Sequence, residues 1–178
     1  KVLQDSSEII DHLESRIRGT AITPTTPRQR IISLLFELYA DEWLPIIAMH
    51  TRWNYKEDTL FAYKEFGKYA IPFLPAFVQQ KVGAKLAKKM QSYLPILGIT
   101  EKTIPKIELW MEELFDSLES HFEIHPFLLG TRPCLGDFSL YGPLYAHVWR
   151  DPASRIRIES RPNLASWLER MTSPSGDK

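Results

Sequence analysis

Apolar residues recur every three or four positions between residues 107 and 122, and this spacing constrains the fold more than any other feature. Such a pattern marks one face of an α-helix, formed here by Ile107, Trp110, Met111, Leu114, Phe115, Leu118 and Phe122. Thr103 and Pro105 precede it as a typical helix start. No segment shows the alternation of apolar and polar residues that a half-buried strand requires. The sequence therefore predicts an all-α fold, a compact helical bundle.

Further helices are predicted before and after this segment. One begins near Ser6, because serine is a preferred capping residue and acidic residues follow it. Residues 28–53 are apolar nearly all round, which predicts a helix that is buried on several sides and kinked at Pro45. Two more helices are expected at residues 135–149 and 161–171.

Residues 55–93 are interrupted by glycine and proline, and we expect shorter, less regular helices there. The interruptions are Gly67, Pro72, Pro75 and Gly83. Positive charge is concentrated in the second half of the stretch, at Lys81, Lys85, Lys88 and Lys89. Such a run either attracts an anionic ligand or surface or, more commonly, forms a solvated helix face.

The stretch 19–27 is rich in threonine and proline, has no helical period and predicts a linker. We therefore expect three parts: residues 1–18 as the end of one packed unit, 19–27 as the linker, and 28–178 as a helical domain. The chain opens without methionine in what resembles the middle of a fold, so we expect it to belong to a longer protein.

Composition narrows the possible functions. Lys plus Arg and Asp plus Glu both number 22, and this balance argues against nucleic acid as a partner. Cys134 is the single cysteine, which excludes an intramolecular disulfide and fits a reducing, cytoplasmic location. Glu37, Asp41 and Glu42 could orient a basic group, bind a metal or face solvent, and solvent is the default. No His or Cys at ligand spacing accompanies them, so we expect no metal site. No apolar run reaches the ~20 residues of a membrane span.

Three segments, in order along the chain, resemble the glutathione transferase superfamily. Residues 3–9 (LQDSSEI) resemble the end of its thioredoxin-like domain, where an acidic or amide residue and a serine open a helix and bind glutathione. Residues 127–138 (FLLGTRPCLGDF) resemble its phenylalanine-leucine-glycine loop and capped helix, and residues 161–167 (RPNLASW) resemble its closing segment. The resemblance implies that 1–18 is a remnant of the thioredoxin-like domain and that 28–178 is the C-terminal helical bundle.

The resemblance also implies binding residues. Asp5 and Ser6 would hold glutathione, the co-substrate, because a carboxylate and a helix N-terminus suit its ammonium and carboxylate groups. An ordinary helix cap is the alternative for this pair. The long helix would line a hydrophobic pocket for an apolar electrophile, with candidates Tyr39, Trp43, Met49, His50 and Trp53. Each of these five has core or subunit interface as its alternative.

The capped helix has a physical reason of its own. Asp137 can accept a hydrogen bond from the N–H of residue 134, while Cys134 is a weaker acceptor than the Ser or Thr usual in the family. We expect both residues to be structural. The family's catalytic Tyr, Ser or Cys lies at the start of the thioredoxin-like domain, so the resemblance assigns no catalytic residue here, and this segment alone is expected to be inactive.

Two functions from different classes follow. The first is a glutathione transferase, in which this domain forms the pocket wall and part of the glutathione site for conjugation or reduction of an electrophile. The second is a non-catalytic protein-interaction or assembly module, since similar helical domains serve in translation factors, synthetases and mitochondrial import proteins. The resemblance also implies a possible homodimer, with which the apolar long helix is compatible.

Overall fold

The computed structural model describes residues 2–17 and 21–173, and these residues form helices joined by loops. The all-α prediction is confirmed, because the described residues contain no strand and one isolated bridge, between Phe127 and Gly130. The helices are α1 (Ser6–Glu14), α2 (Pro27–Glu42), α3 (Leu44–Asn54), α4 (Lys56–Ala70), α5 (Ala76–Gln91), α6 (Ile104–Ile124), α7 (Leu135–Pro143), α8 (Pro152–Glu159) and α9 (Pro162–Thr172). A π-helical segment, Leu144–Trp149, directly follows α7.

The division of the chain into three parts stays a prediction. Its first boundary, between residues 18 and 19, lies outside the described residues, as do the first linker residues, 19–20, and the last five residues of the predicted helical domain, 174–178. Contacts cross this boundary, because the Glu14 carboxylate before it accepts hydrogen bonds from the backbone N–H groups of Ile22 and Thr23 after it. The end of α1 and the later part of the predicted linker are therefore in direct contact.

Helix α6 forms the centre of the main core. The apolar face predicted from its spacing is buried at Ile107, Met111, Phe115, Leu118 and Phe122. Helices α2, α3, α7 and α9 close around this face, and their buried side chains include Ala40, Leu44, Leu140, Trp167 and Leu168. Burial of one large apolar side chain contributes about 1.5–3 kcal/mol. Hydrophobic burial therefore positions α6 against its four neighbours.

The predicted long helix is divided at Trp43. Helix α2 ends at Glu42 and α3 begins at Leu44, so Pro45 lies in the first turn of α3. Proline is tolerated there because the first N–H groups of a helix have no intrahelical acceptor. The predicted kink is thus a break between two helices, and Trp43 lies at the joint with its side chain 55% exposed.

Helices α4 and α5 show that the prediction of short, irregular helices in this region was wrong. They have 15 and 16 residues and pack side by side. A β-carbon at Gly67 would lie 1.8 Å from the carbonyl oxygen of Gln79, and one at Gly83 would lie 1.8 Å from that of Tyr63. The glycines therefore permit a close helix contact instead of breaking the helices. Pro72 lies in the loop that connects them.

Buried acidic side chains fix the short helix α8, for which apolar spacing gives no signal. The Asp58 carboxylate of α4 accepts hydrogen bonds from Ala153 N at 2.6 Å, Ser154 N at 3.1 Å and Ser154 Oγ at 2.7 Å. Arg52 of α3 donates to both carboxylate oxygens of Asp151, at 2.7 and 2.6 Å. These charge-assisted bonds connect α3 and α4 to the start of α8.

Candidate functional site

A pocket of about 490 Å³ lies at the joint between α2 and α3, where α6 approaches them. Its volume falls in the range of small-molecule sites, about 300–1,000 Å³. Lys106 is the one charged side chain among the described residues that line it. The apolar and aromatic walls include Tyr39, Trp43, Ile46, Leu97, Ile107 and Trp110. This arrangement suits an apolar molecule of moderate size.

Three aromatic rings give the pocket a defined shape. The ring of Trp110 meets Tyr39 edge to face, with 6.2 Å between centroids and 88° between planes. Trp43 meets Trp110 similarly, at 6.4 Å and 79°. Trp110 Nε1 also donates a hydrogen bond to the Tyr39 hydroxyl oxygen at 2.9 Å. Edge-to-face packing and this hydrogen bond hold two of the three rings in a preformed arrangement.

The Tyr39 hydroxyl gives the apolar wall a polar group. Burial raises the pKa of Tyr39, against the opposing effect of the hydrogen bond from Trp110, so the side chain is a neutral phenol at physiological pH. Because its oxygen accepts from Trp110, its hydrogen is available, and no described residue accepts it. The pocket can therefore hold an apolar molecule that carries a carbonyl or nitro oxygen.

The structure divides the five predicted pocket residues into two groups. Tyr39 and Trp43 line the pocket. Trp53 is 8% exposed and, with Met49, belongs to a second hydrophobic cluster formed with α4 and α5, and His50 is fully buried against α6. Hydrophobic packing on α4 and α5 therefore turns Met49 and Trp53 away from the pocket, and the contact with Glu108 of α6 does the same for His50.

Three pocket residues come from α6 and were absent from the sequence-based candidates. They are Lys106, Ile107 and Trp110. The helical spacing assigned Ile107 and Trp110 to the core face of α6, and Ile107 is indeed buried there. Trp110 lies at the margin of that face, where it is half-buried. The position of this tryptophan at the edge of the apolar face was the one sequence signal that could have indicated its place in the pocket.

His50 belongs to a polar network that joins α3 to α6. Its Nε2 lies 2.6 Å from Glu108 Oε1, and its Nδ1 lies 3.1 Å from Asn54 Nδ2. Tyr55 donates to the same Glu108 oxygen at 2.7 Å, and Arg157 pairs with the other oxygen at 3.2 Å. Burial alone would raise the pKa of Glu108, but these hydrogen bonds and the Arg157 charge outweigh it and lower the pKa. With both ring nitrogens engaged, His50 has a structural role.

Asp5, and not Ser6, caps helix α1. The Asp5 carboxylate accepts a hydrogen bond from Ser7 N at 2.9 Å, whereas Ser6 is the first helical residue and is exposed. The Ser7 hydroxyl donates to Glu37 Oε1 of α2 at 2.7 Å. Neither Asp5 nor Ser6 lines the aromatic pocket. Their role in binding glutathione stays a prediction.

Asp41 lies among other acidic residues at the end of α2, and they affect its pKa. Burial, followed by the negative charges of Glu37, Glu42 and Asp5, raises the pKa of Asp41. No group of three or more His, Cys, Asp or Glu side chains with the geometry of a metal site occurs within residues 2–17 and 21–173. These carboxylates therefore form a local concentration of negative charge at the C-terminal end of α2.

Asp137 connects three parts of the chain through its buried carboxylate. One oxygen accepts a hydrogen bond from Cys134 N at 2.9 Å, which is the aspartate half of a capping box. The other accepts from Leu128 N and from Trp167 Nε1, both at 3.0 Å. The carboxylate therefore holds the start of α7, the preceding loop and α9 together.

Gly136, next to this cap, allows α7 to approach α2 closely. A β-carbon at Gly136 would lie 2.8 Å from the Phe36 β-carbon. Its backbone N–H donates to Ser33 Oγ of α2 at 3.0 Å. Glycine is a poor helix former, but at this position the missing side chain is what permits the contact.

Comparison with protein-family models found no family that matches this chain, and no curated protein matches it. Among the helices in the described part of the chain, none is long and apolar enough to cross a membrane. The preformed aromatic pocket is therefore the main structural indication of function.

Proposed function

We propose that this protein is glutathione-transferase-like and that the aromatic pocket holds the apolar part of an electrophilic co-substrate, for conjugation or reduction by glutathione. The observation that carries the proposal is the preformed pocket at the joint of α2 and α3, with its apolar walls and the available hydroxyl hydrogen of Tyr39. A nitro or carbonyl oxygen accepts from that hydroxyl while the rest of the molecule is buried.

In this proposal, Asp5 and Ser6 contribute to the glutathione site. Asp5 stands at the N-terminus of α1, where the helix dipole favours an anion such as the γ-glutamyl carboxylate, and its own carboxylate suits the ammonium group. This part of the proposal rests on the resemblance of residues 3–9 to the glutathione transferase superfamily. The proposal assigns the activation of the glutathione thiol to residues outside this chain. It also assigns the protein to the reducing cytoplasm.

Binding of a nitroaromatic electrophile tests the pocket. Titration with 1-chloro-2,4-dinitrobenzene should quench tryptophan fluorescence, because Trp43 and Trp110 line the site. Trp43→Ala should weaken binding about tenfold, about 1.4 kcal/mol, and Tyr39→Phe should weaken it by less. Trp149→Ala, which removes a tryptophan from the π-helical segment, is the matched control and should bind normally. Equal affinity in all four proteins would refute the assignment of the pocket.

Calorimetry tests the glutathione site separately. The full-length protein should bind glutathione saturably, and Asp5→Ala combined with Ser6→Ala should abolish that binding. Asp11→Ala, a later exposed acid of α1, is the control. A folded full-length protein that does not bind glutathione would overturn the transferase assignment and favour the second candidate function.

That second candidate is a non-catalytic assembly module, and an exposed surface of α2 favours it. Four apolar side chains at helical spacing are 43–59% exposed there, namely Ile31, Leu34, Leu35 and Leu38. The ends of α2 carry opposite charges, with Arg28 at its N-terminus and Glu42 at its C-terminus. Both charges oppose the helix dipole, so they do not stabilise α2 by itself.

A second copy of the chain fits this α2 surface. In an antiparallel pair of α2 helices centred on Leu35, two-fold symmetry brings Arg28 of each copy near Glu42 of the other. Light scattering should then show a homodimer that Leu34→Glu dissociates, whereas Leu109→Glu on the exposed face of α6 leaves it intact. A monomer at about 100 μM would refute this arrangement.

A further inference from the structure

The hairpin of α4 and α5 carries an excess of positive charge on a chain that is neutral overall. Residues 56–91 contain seven lysines and three acidic residues, whereas the whole chain has equal numbers of basic and acidic residues. The remaining residues therefore carry an excess of acidic groups. Within the described residues, all the ion pairs involve arginine or histidine, and no lysine of the hairpin has an acidic partner within 4.0 Å. Within the part of the chain that the structure describes, ion pairs do not neutralise this positive charge.

The tip of the same hairpin exposes large apolar side chains. Phe73, in the connecting loop, is 96% exposed, and its neighbours Tyr69, Leu74 and Phe77 are 76%, 48% and 66% exposed. Pro72 and Pro75 restrict the backbone of the loop. A cluster of exposed aromatic side chains in so short a segment marks an interaction surface.

The hairpin presents this tip on a stiff support. Helix α5 packs mainly on α4, and the contact is close because Gly67 and Gly83 allow the backbones to approach. At 1.5 Å per residue, Lys68 and Lys81 lie within about 8 Å of the helix ends that flank the loop, and Lys64 lies about 9 Å away. These distances are close to one Debye length at physiological salt. The lysines and the apolar tip therefore act on the same surface.

We propose that the tip of the α4–α5 hairpin docks on an anionic lipid bilayer. Phe73, Leu74 and Phe77 enter the interfacial region, and Tyr69 lies at the level of the headgroups, where amphipathic rings are favoured. The lysines remain in water and face the negative leaflet, each contributing about fivefold to partitioning. An acidic protein or a nucleic acid would account for the lysines, but the exposed apolar tip favours lipid.

Co-sedimentation of the intact chain with vesicles tests this proposal. Vesicles with about 30% phosphatidylserine should bind the protein, pure phosphatidylcholine vesicles should bind at least about tenfold more weakly, and about 0.5 M salt should reduce binding to the anionic vesicles. Phe73→Ser with Phe77→Ser should lower the affinity at least about tenfold. Lys68→Gln with Lys81→Gln should lower it about 25-fold, which is two factors of about five.

Matched controls outside the hairpin exclude general effects of substitution. Ile96→Ser removes a side chain that is 78% exposed, and Lys102→Gln removes an exposed lysine, so neither should change binding. Circular dichroism should show that the tip variants, all at exposed positions, retain their helices. Absence of binding to anionic vesicles overturns the proposal. Vesicle binding that the phenylalanine substitutions leave unchanged also overturns it, since charge alone would then be responsible. The proposal fails as well if the lysine substitutions change only self-association or binding to nucleic acid.

Discussion

Trp167 Nε1 donates a hydrogen bond to Asp137 Oδ1 at 3.0 Å, and both side chains are fully buried. The two residues belong to α9 and α7, 30 positions apart in the chain. Phe122 of α6 stacks on the same indole ring, with 4.8 Å between centroids. A local helix cap is thereby connected to the main hydrophobic core, and a change at the cap affects the whole domain.

Asp137→Ala should be among the most destabilising substitutions in the domain. It leaves the N–H groups of Leu128, Cys134 and Trp167 without an acceptor in a buried site, and we expect a loss of about 3–5 kcal/mol in the free energy of unfolding. Urea denaturation measures the loss. Asp11→Ala, at an exposed position of α1, should change stability by less than about 0.5 kcal/mol. Similar values for both variants would show that Asp137 acts only locally.

The helices with the strongest apolar period could be predicted from the sequence, because their signals are local. The face of α6 and the hydrogen bond from Cys134 N to Asp137 both depend on residues within one or two turns of each other. The break near Pro45 is local for the same reason. The resemblance named Tyr39 and Trp43 as pocket residues, and both line the cavity at the joint of α2 and α3. That this cavity binds a co-substrate stays a prediction.

Features that depend on distant partners could not be predicted. Helix α8 has few apolar residues, and its N-terminus is satisfied by Asp58, which is 95 positions away from Ala153. His50 finds Glu108 across 58 positions, and this contact separates it from the pocket predicted for it. Trp110 completes the pocket from α6, 71 positions away from Tyr39. Sequence spacing contains no information on such pairs.

Gly83→Ala should destabilise the protein, although alanine normally stabilises a helix. The new β-carbon would lie 1.8 Å from the Tyr63 carbonyl oxygen, so α5 must move away from α4, at a cost of about 1–3 kcal/mol. Gly142→Ala in α7 is the control, because no heavy atom lies within 4 Å of its added β-carbon, and it should stabilise by about 0.5–1 kcal/mol. Thermal unfolding compares the two, and a stabilised Gly83→Ala protein would contradict the close contact.

The thiol of Cys134 should be unreactive in the folded protein. Burial is the main factor that raises its pKa, and the nearby Asp137 charge adds to this effect, so little thiolate is present at pH 7. Ellman's reagent should react slowly with the native protein and rapidly in urea. Because Cys134 is the single cysteine, the reaction has one source. Rapid reaction of the native protein would show that α7 opens locally with little cost.

His147 should make the protein less stable as the pH falls from about 6.5 to about 4. Its side chain lies in a small pocket with Arg52, Glu65, Tyr69 and Arg150, and its buried Nδ1 has no hydrogen-bond partner among the described residues. Burial, followed by the charges of Arg52 and Arg150, lowers its pKa from 6.5 to about 4. Between these values the unfolded chain binds a proton that the folded chain does not, so the free energy of unfolding decreases as pH falls.

The size of this effect follows from the pKa difference. At about 1.4 kcal/mol per pKa unit, the loss approaches about 3 kcal/mol at pH 4 and is absent above pH 7. Carboxylates titrate in the same pH range. The informative quantity is therefore the difference in the free energy of unfolding between wild type and His147→Phe, because phenylalanine keeps a ring but has no proton to gain. Urea denaturation at several pH values should show His147→Phe becoming relatively more stable from pH 6.5 downward. Parallel curves for wild type and His147→Phe would mean that His147 titrates normally in the folded protein.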